Sequence, residues 1–192
     1  SDLKERDRKV LSYIENYKSI SLNQITNIFF NCSYETARRR MKQLEEMGLV
    51  KSIRNNLLNN KVYFIEKIST DHNLLITEFL SIIKSHGGKI EEFKIQPQYM
   101  NGKIRPDAKI IFSYNNLVYF NLLEVDLTHY TSNSKMQRYE SLYKTGEVQS
   151  DNYGAVPRIV IARPTKGIRY NSKNFRVLYT DLYYNNFLDI IV

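Results

Sequence analysis

Three acidic residues fall where two neighbouring strands of a predicted hairpin bring their side chains together. Asp107 begins one strand, Glu124 and Asp126 end the next, and Asn115-Asn116 forms a tight turn between them. Because side chains alternate along a strand, Glu124 and Asp126 share a face, and antiparallel pairing places Asp107 opposite them. Hard cations prefer carboxylate oxygens, so Asp107, Glu124 and Asp126 are a candidate site for Mg²⁺ or Mn²⁺. The alternative is that these carboxylates simply face water, and the spacing alone favours that alternative.

Donors suited to DNA are concentrated on a predicted helix over residues 33–47. Its apolar face consists of Ala37, Met41, Leu44 and Met47. A recognition helix needs such a stripe for packing, and it also needs Arg and Gln for base edges and Lys and Arg for phosphates on its other faces. The residues that meet this second need are Tyr34, Thr36, Arg38, Arg39, Lys42 and Gln43. The alternative is a solvated helix face in a module used for packing or dimerisation.

The residues around this helix predict three helices and then a hairpin. The first helix covers residues 4–17, and the second begins at Ser21, where Ser21 and Gln24 form a capping box. The third helix ends at Gly48, since glycine adopts the left-handed conformation that closes helices. Two strands follow at residues 49–54 and 61–65.

This order resembles the winged helix-turn-helix family of bacterial DNA-binding domains. The resemblance lies in the segment 33–50, with Thr36-Ala37-Arg38-Arg39, Leu44 and Gly48-Leu49-Val50. It implies double-stranded DNA as the partner. It also implies that the hairpin reaches the DNA backbone or minor groove through Lys51, Arg54, Asn55 and Lys61.

Residues 68–71 form a candidate boundary, which predicts one domain at 1–68 and a second at 69–192. The second contains a helix and three strands, then a helix and a strand, and it ends in one more strand with an aromatic tail. A strand–helix–strand connection requires a parallel pair, so this half is predicted to be α/β and the whole chain α+β. The predicted elements are a helix at 72–85, strands at 90–95, 107–114 and 117–126, a helix at 132–144, and strands at 158–162 and 175–180.

The second half resembles the PD-(D/E)xK nuclease-like fold. In that family an Asp and a Glu hold Mg²⁺, and a Lys activates or orients the attacking water. Asp107 and Glu124 match the two acids, whereas Asp126 stands where the Lys is expected. Some members carry the Lys on the following helix, which makes Lys135 the candidate here. Weaker candidates are Lys109 for the lysine and Glu78 as a further acid.

Most of the chain resembles the replication-relaxation family of Gram-positive plasmids and conjugative elements. That family joins a winged helix to the motif Arg-Pro-Asp, a strand ending Glu-x-Asp, and a helix bearing Lys, Arg and Tyr. The matching segments here are 105–107, 124–126 and 135–143. The resemblance implies a role in plasmid replication or mobilisation, with a nuclease-like domain that is degenerate because Asp126 replaces the usual Lys.

Composition agrees with a polyanionic partner. The chain has 28 basic and 20 acidic residues, a net charge of +8, and residues 1–67 alone carry 13 basic and 8 acidic side chains. Cys32 is the only cysteine, which excludes an internal disulfide and fits a reducing cytosol. No long apolar run or leader is apparent, so we expect a cytoplasmic protein without a membrane partner. No glycine-rich phosphate loop is present, which argues against nucleotide hydrolysis.

Three functions follow from these features. The first is a DNA-binding protein of a plasmid or mobile element that does not cleave DNA, acting as a homodimer or with a replication or mobilisation partner. The second is a Mg²⁺- or Mn²⁺-dependent endonuclease that uses Asp107, Glu124 and Lys135. The third is a winged-helix transcriptional regulator whose second domain dimerises or senses a ligand.

The chain also ends in an aromatic tail, formed by Tyr179, Tyr183, Tyr184 and Phe187. Such rings can stack on unpaired bases. The alternative, which we favour, is that they pack in the core or in a dimer contact.

Overall fold

The computed structural model describes residues 2–164 and 166–191, and the chain is α+β with a separate sheet in each of two compact units. The units are Ser1–Ser85 and His86–Val192. The predicted boundary after residue 68 lies before a helix that the structure includes in the first unit. Each unit carries 14 basic and 10 acidic residues, so the excess positive charge is shared equally between them.

The first unit has four helices and a three-stranded antiparallel sheet of order β1-β3-β2. Strand β1 is absent from the predicted elements because its three residues are all buried and show no alternation. The elements are α1 (Glu5–Tyr17), β1 (Ser19–Ser21), α2 (Leu22–Phe29), α3 (Tyr34–Glu46), β2 (Lys51–Asn55), β3 (Asn60–Phe64) and α4 (Asp71–Ser85).

Local sequence signals set the ends of α2 and α3. The predicted capping box is confirmed: Ser21 Oγ accepts from the Gln24 amide at 3.1 Å, and Gln24 Oε1 accepts from the Ser21 amide at 3.1 Å. Ser33 precedes α3 as predicted, but its hydroxyl donates to Thr36 Oγ1 at 2.8 Å and caps no backbone amide. Gly48 follows α3 with φ +78°, the left-handed conformation expected of it.

A single apolar core joins α1, α2 and α3. The predicted stripe of α3 is buried at Ala37, Met41 and Leu44, but Met47 is 40% exposed because the helix ends at Glu46. Helix α4 packs on α2, where Asn27 Nδ2 donates to Ser81 Oγ at 3.0 Å. This helix was predicted to begin the second domain, but in the structure it lies in the first unit.

A buried ion pair completes the inner face of α3. Arg40 Nε donates to Asp7 Oδ1 at 3.0 Å and Arg40 Nη2 donates to Asp7 Oδ2 at 2.6 Å, which ties α3 to α1. Asp7 is 1% and Arg40 7% exposed. The Arg40 guanidinium, through its hydrogen bonds, holds the pKa of Asp7 below its ordinary value of 3.8. Of the three consecutive arginines, only Arg38 and Arg39 therefore face solvent.

The second unit is built on a mixed five-stranded sheet of order β4-β5-β6-β7-β8. The β4–β5 and β5–β6 pairs are antiparallel, whereas β6–β7 and β7–β8 are parallel, which confirms the predicted crossover. Helices α6 and α7 are too short for the sequence periodicity to reveal. The elements are β4 (Lys89–Ile95), β5 (Ala108–Tyr114), β6 (Leu117–Val125), α5 (Asn133–Thr145), α6 (Glu147–Asp151), β7 (Arg158–Ala162), β8 (Val177–Thr180) and α7 (Phe187–Ile190).

Helix α5 covers one face of this sheet. Met136, Tyr139 and Leu142 of α5 pack with Leu122 of β6 and Ile159 of β7 in one buried cluster. Among the helices of residues 2–164 and 166–191, none is long and apolar enough to cross a membrane.

We expect Asp7→Ala to lower the free energy of unfolding by about 3 kcal/mol at pH 7, because Arg40 would stay buried without its partner. The pKa of Asp7 is lowered in the fold, so its stabilising contribution is present above pH 3.8 and is lost as the pH falls through the folded value. Urea denaturation followed by circular dichroism measures the effect, once at pH 7 and once at a pH below the folded pKa of Asp7. Glu35→Ala, which removes only the exposed Arg38–Glu35 pair, is the control and should leave the midpoint unchanged. An equal loss of stability in the two variants would contradict the assignment.

Candidate nucleic-acid interface and acidic site

A groove of about 640 Å³ lies between α3 and the β2–β3 hairpin of the first unit. It brings Arg38 and Lys42 of the helix onto the same surface as Arg54 and Lys61 of the hairpin. These residues are far apart in sequence, and the sheet pairing that places Arg54 opposite Lys61 positions the hairpin cations. We call this surface the basic groove. Its lining is Leu22, Tyr34, Arg38, Lys42, Glu45, Glu46, Arg54, Asn59, Asn60, Lys61 and Tyr63.

Nine of the ten side chains predicted to contact DNA are exposed, and the basic groove collects five of them. The tenth, Asn55, is half-buried and its Nδ2 donates to Asp71 Oδ1 at 2.8 Å. Thr36, Arg39 and Gln43 lie on another part of the exposed helix surface, where Gln43 Oε1 accepts from Arg40 Nη1 at 2.7 Å. Lys51 is exposed at the start of β2. The exposed set is Tyr34, Thr36, Arg38, Arg39, Lys42, Gln43, Lys51, Arg54 and Lys61.

Carboxylates moderate the charge of the basic groove. Its four cations share the lining with Glu45 and Glu46, which leaves a net charge of +2. Glu45 Oε2 accepts from Ser52 Oγ at 2.7 Å, and Arg38 Nη2 lies 3.0 Å from Glu35 Oε2. Because the latter pair is exposed, a phosphate can replace Glu35 as the partner of Arg38 at little cost. Glu45 and Glu46 follow Lys42 by three and four residues, which on a helix places them beside it. This spacing is the sequence signal that the positive charge of the groove is reduced.

In the second unit, the hairpin register brings Asp107 and Glu124 together. Ala108 pairs with Leu123, so Asp107 lies beside Glu124 at the ends of β5 and β6. The Asp107 amide donates to Glu124 Oε1 at 3.3 Å, and Asp107 Oδ2 accepts from the Val125 amide at 2.7 Å. The two acids named by the nuclease-like resemblance are therefore neighbours.

Helix α5 delivers two further polar groups to Glu124. Lys135 Nζ donates to Glu124 Oε1 at 2.8 Å and also contacts Oε2. Tyr139, one helical turn later on the same face, donates from its hydroxyl to Glu124 Oε1 at 3.2 Å. Ser132 caps the helix by accepting from the Lys135 amide at 3.1 Å, which fixes where the first turn begins. We call Asp107, Glu124, Lys135 and Tyr139 the acidic site.

Glu124 is only 2% exposed, and this burial dominates its titration. The pKa of Glu124 is raised to about 7, chiefly by burial and to a lesser extent by the charge of Asp107, while Lys135 and Tyr139 lower it in part. Near neutral pH the carboxyl therefore exists in both protonation states. In its ionised form it is suited to bind a cation or to hold the Lys135 ammonium.

Asp126 is held differently from the other two acids. Its Oδ2 accepts from the Thr131 amide and its Oδ1 from Thr131 Oγ1, both at 2.7 Å. Burial raises the pKa of Asp126 from its ordinary value. In the described part of the chain, no group of three or more His, Cys, Asp or Glu side chains has an arrangement that could hold a metal. A metal bound by Asp107, Glu124 and Asp126 together thus remains a prediction.

The weaker candidates from the sequence are placed elsewhere. Lys109 is buried, with Nζ 2.7 Å from the Asp151 carbonyl and 2.5 Å from Glu92 Oε2, so its charge is neutralised outside the acidic site. Glu78 lies in the first unit, where its Oε1 accepts from Gln24 Nε2 at 3.2 Å. Burial raises the pKa of Glu78 to about 7. Glu78 thus belongs to the α2–α4 interface.

The raised pKa of Glu78 predicts a pH-dependent stability. In the fold this group retains its proton up to about pH 7, against an ordinary value of 4.5. Its contribution is therefore complete below pH 4.5 and is lost as the pH rises through about 7. Glu78→Gln keeps an acceptor for Gln24 and stays uncharged at both pH values. The difference in free energy of unfolding between this variant and the wild type should therefore favour the variant more at pH 8 than at pH 4.5. Urea midpoints at the two pH values test this, and Glu15→Gln, at an exposed position of α1, should show no such gain.

Both surfaces are defined by their geometry and chemistry alone. No protein-family model, no curated protein and no solved structure matches this chain. The basic groove of the first unit and the acidic site of the second are accordingly the two features from which a function can be argued.

Proposed function

We propose that this chain is a DNA-binding protein of a plasmid or mobile element, acting in its replication, its mobilisation or their control. The observation that carries the DNA-binding part is the convergence of Arg38 and Lys42 with Arg54 and Lys61 in the basic groove. Four cations on one concave surface form an electrostatic footprint for a phosphate backbone.

The architecture around the groove supports a duplex as the ligand. Helix α3 is 13 residues long and exposes one polar side along its length. A helix of this kind fits the major groove, and the adjacent β2–β3 hairpin then lies over the backbone. Arg39 and Gln43, on the exposed part of the helix outside the basic groove, offer additional donors.

The mobile-element role depends on the resemblance to the replication-relaxation family. Its motifs at residues 105–107, 124–126 and 135–143 contribute Asp107, Glu124 and Lys135, the charged members of the acidic site. Residues that are separate motifs in sequence meet at one place in the structure, which supports treating them as one functional unit.

The DNA-binding proposal predicts that Arg38→Ala combined with Lys42→Ala weakens duplex binding at least tenfold. The slope of log affinity against log salt should fall by about 0.9 for each phosphate that the variant no longer neutralises. Fluorescence anisotropy with a labelled duplex at several salt concentrations measures both quantities. The matched control is Arg8→Ala with Lys9→Ala, which removes the same charge from exposed positions of α1. If the control weakens binding as much as the groove variant, or if neither changes it, the proposal is wrong.

A second candidate function is metal-dependent cleavage of DNA, and the contact of Lys135 with Glu124 favours it. In this function Asp107 and Glu124 would hold the cation, and the chemistry it would supply is polarisation of the scissile phosphate. From the first turn of α5, Lys135 would orient the attacking water, and Tyr139 would hold the Glu124 carboxylate in place. The register-fixed proximity of Asp107 and Glu124 fits a two-carboxylate site of this kind.

Cleavage predicts activity on supercoiled, linear or single-stranded DNA in Mg²⁺ or Mn²⁺. Asp107→Asn should reduce it to background, and Lys135→Ala should reduce it at least tenfold. Lys144→Ala, at an exposed position of the same helix, is the control and should retain activity. Gel analysis of the three substrates measures cleavage. A wild type that cuts none of them under any condition removes this candidate and leaves DNA binding.

A further inference from the structure

The carboxyl ends of β6, β7 and β8 are bordered by two neighbouring cavities in the second unit. Their volumes are about 340 and 320 Å³, and both are lined by Arg163, Lys166 and Tyr179. The first also contacts Asp126, two residues beyond Glu124 on the chain, and the second contacts Arg169. We call Arg163, Lys166 and Arg169 together with Tyr179 the strand-end patch. Neither the basic groove nor the acidic site includes any of these residues.

Two of the cations lie against an aromatic ring. The guanidinium carbon of Arg163 is 4.3 Å and that of Arg169 is 5.4 Å from the centre of the Tyr179 ring. Tyr179 is itself held in place, because its hydroxyl accepts from the Tyr170 amide at 2.8 Å. The patch therefore presents planar guanidinium groups on a fixed aromatic support, while Lys166 is exposed beside them.

The carboxylates near the patch are already engaged. Asp126 accepts two hydrogen bonds from Thr131, and Asp181 accepts from the amides of Tyr183 at 2.8 Å and Asn185 at 3.3 Å. Arg163 Nη1 donates to the Ile168 carbonyl at 3.2 Å, whereas Lys166 and Arg169 are exposed and accessible to an external anion.

Planar rings next to cations are the features that hold unpaired nucleic acid, since bases stack on the rings and phosphates follow the charges. Cavities of this size accept a small ligand or a single nucleotide, whereas a duplex is too wide to enter them. The exposed ring of Tyr130, 60% accessible at the rim of the first cavity, adds a further stacking surface. We propose that the strand-end patch binds an unpaired DNA strand.

The structure also separates this role from the rest of the aromatic tail. Tyr184 and Phe187 are each 1% exposed and belong to the core, so of the four tail residues Tyr179 is the one placed among cations. This inference goes beyond the proposed duplex binding, because it assigns a second ligand to a different unit of the chain.

The test measures the affinity of the full chain for labelled oligothymidylate and for a labelled duplex. Lys166→Glu combined with Arg169→Glu alters two exposed residues and should weaken oligothymidylate binding at least tenfold, with duplex affinity unchanged within twofold. For oligothymidylate, the slope of log affinity against log salt should fall by about 0.7 for each phosphate that the variant no longer neutralises, which is the value for single strands. The charge-matched control is Lys94→Glu with Lys103→Glu, which are exposed residues of the same unit outside the patch. Arg163→Lys keeps the charge but not the planar group and should weaken binding less than the double variant.

Weaker oligothymidylate binding in the patch variant alone supports the proposal. A wild type that does not bind oligothymidylate, an unchanged patch variant, or an equally weakened control overturns it. A parallel drop in duplex affinity would make the patch part of the duplex surface, and tighter binding of oligouridylate would make the ligand RNA, so either result also overturns it. The Arg38 and Lys42 variant serves as the reverse control, because only its duplex binding should weaken.

Discussion

Arg40 and Asp7 are removed from water together, and their pairing constrains which side of α3 faces outward. An isolated buried guanidinium is strongly unfavourable, so the rotation of α3 that buries Ala37, Met41 and Leu44 must also bring Arg40 to the carboxylate of α1. That rotation turns Arg38, Arg39 and Lys42 to solvent. The same rotation places Arg38 and Lys42 along the β2–β3 hairpin, where Arg54 and Lys61 complete the basic groove. The exposed position of the basic groove is in this sense linked to an ion pair that is itself buried.

The second unit also buries a carboxyl group, that of Glu124, but there the pKa is raised. Glu124 is buried at the end of a central strand, and Lys135 and Tyr139 supply its partners from one face of α5. Unlike Asp7, which keeps a pKa below its ordinary value, Glu124 has a pKa near neutrality because burial and the neighbouring Asp107 outweigh Lys135. Burial raises the pKa of Glu78 in the same way, so the feature that sets Glu124 apart is its contact with Asp107, Lys135 and Tyr139 at one place.

How much of this structure the sequence predicts depends on whether a feature is determined by adjacent residues or by contacts between residues distant in sequence. The capping box at Ser21, the Gly48 stop and the Asn115-Asn116 turn depend on a few adjacent residues, and the predicted elements follow from them. Strand β1 is short and wholly buried, so it has no period to detect. The amphipathic pattern of α4 indicates that the helix is packed but not which unit it packs in, and so Glu78 was assigned to the wrong neighbours. The convergence of Asp107 with Glu124 follows from hairpin register, whereas the strand-end patch needs three strands and a loop that sequence alone cannot align.

The distribution of charge bears on the two DNA ligands proposed for the two units. Each unit has the same net charge of +4, so the electrostatics of neither unit as a whole opposes an anionic ligand. The cations are nevertheless arranged differently. The basic groove spreads four of them along a helix and a hairpin, whereas the strand-end patch holds two against one ring with a third lining the same cavities. Spread cations follow a regular backbone, whereas cations gathered on an aromatic ring favour a flexible strand whose bases can turn toward it. The proposed duplex ligand of the first unit and the proposed unpaired strand of the second are the two components of a junction between paired and unpaired DNA, the kind of structure that arises when a duplex is opened for replication or transfer.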